Sequence, residues 1–507
     1  MLHNLLDTAS NRRMLIMEVL LSFNDWITSA KLAETCHTSI RTINNDLQFM
    51  KQNYPAYFTI ETSKQHGVRL LPNSSFRLES FYREIMNSNS VFNLMEGLFF
   101  HPDYTPQQWQ EQLYLSSSSF YRSMNRITTS LKNYHISFYK KFESKNELNV
   151  RYFFSNFFTE KYGYINWSFP FDRMRIIHAL KDINRYIQHH LQDSQYLDLD
   201  SNQIMNAAML IGVSIIRISQ GCYCQRFRSP FNFDIDREIA NEFYETYKHI
   251  AEPFIDELSF EQFQDIVYSV FAFLITWKSD DEFNHINDCL IHFLNGIIDN
   301  WKLEVSLEEF DRIRCLMLNI YSSYRLFPYD NRILYNQPRF IGNLIQESYP
   351  KLYQGFQSHL TTLSKQTNFP WDRGTAEILF WIIVKWPNFT QLLYERYTKA
   401  RILIVSDQGR AHQHYIAQSI NHIFGDFAET FECKSDIFEL DKRIHSLKEE
   451  YDLILVTFDY ISADENVPRV LNINPILNTN DFDNIANELK VIRNQNRIPM
   501  KFPRLMH

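Results

Sequence analysis

The sequence predicts a multidomain, mainly α protein. It reads as an N-terminal winged helix, a second helix-turn-helix, two all-helical domains and a small C-terminal α/β domain. Three observations predict it. Residues 29–51 read SAKLAETCHTSIRTINNDLQFMK, two short amphipathic helices meeting at a polar break, and the same apolar spacing returns 77 residues later. In the middle of the chain two pairs of helical segments repeat at offsets of 103 and 108 residues. From Ala400 onward apolar strands alternate with amphipathic helices, the rhythm of a small parallel sheet.

In the opening stretch Leu32, Ala33 and Cys36 form the inner face of one helix, and Ile43, Leu47 and Met50 that of the next. Ala33 is small enough for the helices to cross closely, and Ser39 suits the N-cap of the second. The outward face then shows Thr38, Ser39, Arg41, Thr42, Asn44 and Asn45. These side chains fit phosphates and base edges, since Asn pairs bidentately with adenine and Arg with guanine. The flanks separate this from a plain helical hairpin. Arg12 to Phe23 reads as a preceding amphipathic helix packing through Leu15, Val19 and Leu20, and YFTIETSKQHGVRLL at 57–71 reads as a hairpin turning at Lys64-Gln65-His66-Gly67. Three helices and a two-stranded wing make a winged helix, with Lys64, His66 and Arg69 where a wing meets phosphates.

Shifted by 77 residues, TPQQWQEQLYLSSSSFYRSMNRITTSLK places Leu113 at the position of Cys36, Ser116 at Ser39, Phe120 at Ile43 and Met124 at Leu47. Its outward face offers Ser117, Ser118, Tyr121, Arg122, Asn125 and Arg126, followed by Lys132 and a basic turn at Lys140, Lys141 and Lys145. Gln110 replaces the small Ala33, so a different helix crossing is expected. Further on, INRYIQHHLQ (183–192) matches INDCLIHFLN (286–295), and MLIGVSIIRI (209–218) matches MLNIYSSYRL (317–326). Two matches in one order indicate a duplicated helical domain, with helices expected at 172–192, 202–220, 236–252, 259–277, 282–301, 306–325, 340–364 and 374–397. The expected modules are 1–72, 73–165, 166–280, 281–398 and 399–507.

A net charge of −8 argues against a nonspecific polyanion binder. The sum hides an asymmetry: residues 1–150 carry 15 Lys+Arg against 13 Asp+Glu, the remainder 36 against 46. DNA, if bound, is met at the N-terminal end by local patches. Neither a charged-then-apolar leader nor a bilayer-length apolar run is present, which leads us to expect a cytoplasmic protein without membrane attachment. Six scattered cysteines make no disulfide framework, and Cys222-Tyr-Cys224 lacks the second ligand pair of a zinc site. With 11 glycines and no phosphate loop, GxSxG or HExxH, nothing nominates a catalytic centre, a metal or a cofactor.

In the order of its parts the chain resembles the Mga-like global regulators of Gram-positive bacteria, virulence regulators that contain phosphotransferase-system (PTS) regulation domains. The resemblance spans nearly the whole chain and lies in the order of modules more than in any one motif. It implies a DNA-binding transcription regulator, usually an activator, that binds double-stranded promoter DNA. It implies two PTS-regulation-like helical domains, targets of histidine phosphorylation by a phosphocarrier protein. It also implies an enzyme-IIB-like tail that helps form a homodimer or larger self-association, and RNA polymerase as a partner. His189 and His292 occupy the same place in the aligned repeats; His178, His190, His285 and His359 are the other candidates. A phosphoacceptor imidazole must be exposed and neutral. The tail departs from the enzyme IIB pattern, because Ser406 followed by Asp407 stands where those domains carry a nucleophilic Cys, which points to a retained scaffold. An RNA-binding antiterminator with the same regulatory domains is the alternative. RNA-binding modules of that kind are small β-structures, whereas residues 1–150 read as mainly helical.

Overall fold

The computed structural model describes residues 3–495 except 24–25, 75, 165, 191–199, 225–236, 253, 273–276, 278, 349, 387–388, 390–398, 435–446, 448–449 and 461–468. The chain divides into two compact units. One comprises Met1–Ile291, Asp311–Leu344 and Gln366–Phe369, the other His292–Phe310, Ile345–Lys365 and Pro370–His507.

The first unit opens with α1 (Thr8–Phe23), α2 (Ser29–Thr35), α3 (Ile40–Asn53) and the antiparallel hairpin β1 (Phe58–Ser63) and β2 (Gly67–Pro72). Alternation in β1 buries Phe58 and Ile60, and β2 answers with Val68 and Leu70. Ile27 adds a third, one-residue rung by exchanging both backbone hydrogen bonds with Val68 at 2.8 and 2.9 Å. Gly67 is required there: its φ is +100°, and a Cβ would lie 2.2 Å from the Ile27 carbonyl oxygen. The expected packing of α1 needs one correction. Val19 and Leu20 are buried, but Leu15 is 37% exposed, because the inward stripe runs through Met14, Ile16, Met17 and Leu20.

After α4 (Leu78–Ser88), a second set follows: α5 (Ser90–Phe100), α6 (Pro106–Gln112), α7 (Ser117–Leu131), β3 (Ser137–Tyr139) and β4 (Lys141–Glu143). The basic turn expected near Lys140 is therefore a second, minimal wing, with Lys140 at φ +60° between its strands. Helix α8 (Glu147–Tyr162) leaves this wing and is buried nearly all round. Its phenylalanines pack ring on ring with earlier elements, Phe154 lying 4.5 Å from Phe99 and 4.7 Å from Phe142 between centroids.

The helical part contains α9 (Arg173–His190), α10 (Ser201–Ser219), α11 (Arg237–Ala251) and α12 (Phe260–Phe271), then α13 (Asp280–Trp301), α14 (Leu307–Leu326), α15 (Gln337–Ser348), α16 (Pro350–Thr367) and α17 (Thr375–Lys385). The repeated segments fall on α9 and α13 and on α10 and α14, the same places in the two runs. The single helix expected over 340–364 is two helices. Pro350 opens the second, since its ring disfavours helical backbone in the preceding residue. The helix expected over 374–397 is α17 as far as Lys385, and most of its remainder lies outside the described residues.

In the second unit β5 (Ala400–Val405), α18 (Arg410–Phe424), β6 (Ala428–Glu432), β7 (Leu453–Val456), β8 (Arg469–Asn472) and α19 (Thr479–Gln495) form the expected α/β domain. The sheet is parallel throughout, in the order β6-β5-β7-β8. Side chains alternate between its faces: Ile402, Ile404, Leu453 and Leu455 meet Ile416 and Ile485 on one side, Leu403, Val405, Ile454 and Val456 meet Leu447 on the other. Among the described residues no helix is long and apolar enough to cross a membrane.

Candidate nucleic-acid interface

The two helix-turn-helix turns are built alike, atom for atom in their backbone bonds. Helix α2 is capped by Thr28, which accepts from Lys31 N–H, and ends at Cys36 with His37 at φ +48°. Helix α6 is capped by Thr105, which accepts from Gln108 N–H, and ends at Leu113 with Tyr114 at φ +52°. In the first turn Thr38 N–H donates to Ala33 O and His37 N–H to Glu34 O; in the second, Leu115 N–H donates to Gln110 O and Tyr114 N–H to Glu111 O. One left-handed residue thus closes each helix and reverses the chain. Ser39 and Ser116 then cap the second helices, accepting from Thr42 N–H at 3.1 Å and Ser119 N–H at 3.2 Å.

Packing beneath the turns is what differs. In the first, Leu20 and Leu32 are both buried; at the equivalent places in the second stand Gly97 and Trp109. Trp109 fills the space a side chain at 97 would occupy, its ring atoms lying 2.4 Å from where a Cβ would sit. Gln110, at the place of Ala33, is half-buried.

Helix α3 is locked by a charge that the apolar pattern did not flag. Asp46 is 2% exposed and holds Arg12 Nε at 2.5 Å and Arg13 Nε at 2.9 Å, both from α1. The Arg13 guanidinium lies 3.5 Å above the Phe49 ring. The equivalent of Asp46 in α7 is Ser123, also buried and uncharged.

This packing turns outward the side chains expected to read a ligand. On α3 Ser39, Arg41, Asn44 and Asn45 are exposed and Thr38 and Thr42 half-buried; on α7 Ser117, Ser118, Tyr121, Arg122 and Asn125 are exposed and Arg126 half-buried. The registers coincide, so Arg41 matches Ser118, Asn44 matches Tyr121 and Asn45 matches Arg122. The equivalence adds Gln48, exposed at the position of Asn125, which the sequence reading passed over. Arg122 is braced along its helix by Ser118 O and Ser119 Oγ.

In the first wing Lys64 and His66 are exposed at the tip. Arg69 is half-buried, pairs with Glu61 at 2.8 Å and lies over Trp26, so it shapes the wing's base. In the second wing Tyr139, 71% exposed, and Lys140 stand at the tip and Lys145 beyond it, whereas Lys141 turns back to donate to Gln220 O at 2.9 Å.

The histidine candidates are scattered. His178 and His292 are exposed; His285 is exposed with Nε2 3.3 Å from Gln366 O. His359 is half-buried beside Gly296 and Trp301, and burial lowers its pKa, favouring the neutral ring. The side chains of His189 and His190 lie outside the described residues. In the α/β domain Ser406 is 3% exposed and donates to His412 Nδ1 at 2.7 Å, while His412 Nε2 donates to Pro475 O at 2.7 Å. Thr457 Oγ1 donates to Asp407 at 2.8 Å.

Comparison with known proteins agrees with this geometry. Residues 8–66 match the M protein trans-acting positive regulator (MGA) helix-turn-helix domain, and residues 74–158 match the Mga helix-turn-helix domain. Over 97% of its length the chain is 22% identical to a candidate trans-acting regulator of Streptococcus pneumoniae, of which the match covers 99%. It is 19% identical, over 94% of its length and 97% of the relative's, to the capsule synthesis positive regulator AcpB of Bacillus anthracis. A third similarity, to AcpA of the same organism, is 23% identity over 48% of each chain. The duplicated turns, the two Mga helix-turn-helix matches that span them and the end-to-end similarity to regulators mark this chain as similar to the Mga-like transcriptional regulators.

Proposed function

We propose that the chain activates transcription by reading two separate segments of double-stranded promoter DNA, one with each winged helix. The observation that carries this is the 77-residue repetition of the whole turn, caps and left-handed residue included, under two outward faces of different chemistry. The Arg41/Asn44/Asn45 face and the Ser118/Tyr121/Arg122 face suit different base pairs, so one chain would recognise a long composite site rather than two copies of one half-site. The positive sign follows the names of the capsule regulators it resembles. The compartment would be the cytoplasm, where promoter DNA lies. Control would come from PTS phosphorylation of histidines in the helical part and from self-association aided by the α/β domain. Among the candidates whose side chains are described, His178, His285 and His292 offer accessible rings and His359 a ring held neutral. Ser406, inward and engaged with His412, suits a scaffold better than a phosphoacceptor.

The test is binding of a labelled duplex, selected from a random-sequence pool by the intact chain, across a range of salt. Arg41→Ala and Asn44→Ala should each cost about 1–3 kcal/mol and relax preference at particular base pairs. Lys64→Ala should weaken all sequences alike and flatten the salt slope. Arg122→Ala should relax preference in a different stretch of the same site. Uniform losses from the helix variants would remove the recognition assignment.

A further inference from the structure

The loop between α14 and α15 is anchored inward at both ends. From Phe327 to Tyr335 it is packed against α4, the second winged helix and α8, and Phe327, Ile333, Leu334 and Tyr335 are buried, Leu334 completely. Glu160, near the end of α8, receives three successive backbone N–H groups: Ile333 and Leu334 donate to Oε2 at 3.0 and 2.9 Å, Tyr335 to Oε1 at 3.1 Å. Aromatic contacts continue the attachment at both ends. Tyr335 stacks on Tyr82 of α4 at 4.8 Å, and the Tyr82 hydroxyl donates to Glu18 of α1. Phe327 and Tyr329 lie 5.9 and 5.5 Å from Tyr134, which follows α7, and the Tyr134 hydroxyl donates to Asp330 O at 3.3 Å. A single nine-residue loop thus touches α4, which is tied in turn to α1 of the first winged helix, together with the second winged helix and the helix that follows it.

We propose, resting on the DNA-reading function above, that Phe327–Tyr335 is a rigid coupling strap through which shifts of α14 and α15 are imposed on the DNA-binding winged helices, with Glu160 as its positioning residue. Rigidity rather than release follows from magnitude. Undocking would expose four large apolar side chains at roughly 1.5–3 kcal/mol each, more than a regulatory signal of 1–3 kcal/mol supplies. A docked strap instead transmits displacement, because close-packed contacts move as a body. A carboxylate holding three consecutive amides fixes the strap's register along α8, which apolar contacts alone leave free to slide.

Coupling is reciprocal, so duplex binding must be felt in the helices joined by the strap. The experiment is amide hydrogen exchange of the intact chain with and without the selected duplex, for wild type and Glu160→Gln, which keeps the size but replaces one acceptor oxygen with a donor. In wild type, duplex should change exchange in peptides of residues 311–344 by about threefold or more. In the variant that response should vanish while duplex protection of α3 and α7 persists. An undiminished response in Glu160→Gln, or none in a wild type that binds duplex, overturns the strap. Should Glu160→Gln fail to fold, Tyr329→Ala loosens the Tyr134 contact from a half-buried position, and the same loss of response is expected. A wild type that binds no duplex would overturn the DNA-reading proposal itself, and the relay with it.

Discussion

At the scale of single residues, the chain places charge where apolar side chains would have sufficed, and each such charge fixes a geometry. Asp46 pins α3 to α1 through two arginines, setting the angle at which Arg41 and Asn44 face outward. Glu160 gives a pH dependence that can be measured. Burial pushes its carboxyl up to about 7 from an ordinary value of 4.5, outweighing the three N–H groups and the Arg332 charge that favour the anion. The folded chain therefore keeps this proton to higher pH than the unfolded chain does. Its contribution to stability is fully present below about 4.5 and is lost as pH rises through about 7. The loss should be roughly 2 kcal/mol, less than the full displacement implies because the residue keeps some solvent contact. Denaturant titrations of the first unit from pH 4.5 to 8 should show this fall, and Glu160→Gln should flatten it. A slope unchanged in the variant would assign it to other groups.

At the scale of elements, the duplicated turns show how one backbone accepts two packings. Gly97 and Trp109 do the work of Leu20 and Leu32, the large ring entering where the small residue leaves room. Gly97→Ala should destabilise the second winged helix by about 1–3 kcal/mol despite alanine's better helix propensity, because the added methyl strikes an indole enclosed on all sides. Combining it with Trp109→Leu should recover part of that loss, so a thermal-unfolding cycle should show the two changes coupled; additive losses would count against the contact. This comparison also shows why some elements were legible and others not. The first wing announces itself by alternation over six-residue strands and a turn at Gly67, and both caps by Ser39 and Ser116 ahead of an apolar period. The second wing has three-residue strands, too short for alternation to register, so only its lysines were visible. Leu15 was misplaced because the buried stripe on α1 runs through Met14 and Ile16 on either side of it, which turns Leu15 outward. Asp46 looks like any polar helix residue until its arginine partners, more than thirty residues away, are known.

At the scale of the whole molecule, the DNA-binding and helical parts of the first unit share one buried ionic cluster that no local pattern reveals. Arg151 on α8, entirely enclosed, donates to Asp265 at 2.7 Å, to Ser269 Oγ at 2.7 Å and to the Cys222 carbonyl at 3.0 Å. Glu147, one turn earlier, holds Arg217 of α10 by both oxygens, and Arg217 also reaches the carbonyl of Phe142 in the second wing. Two cations and two anions cancel, so what the cluster contributes is register between α8, α10 and α12 rather than large net stability. Removing one member is another matter. Arg151→Met leaves Asp265 buried without its cation while Glu147 keeps Arg217, and should cost about 3–5 kcal/mol in the transition that includes α8. Adding Asp265→Leu removes the stranded charge and should restore much of that loss, although the chain would then lack the polar contacts that select one packing of α8 on α12. If the cluster only stabilises, the double variant should bind the selected duplex as wild type does. If it sets the register of the second winged helix on the helical part, the double variant should regain unfolding resistance yet keep a weakened, less selective DNA affinity, and that split between the two measurements is the outcome expected here.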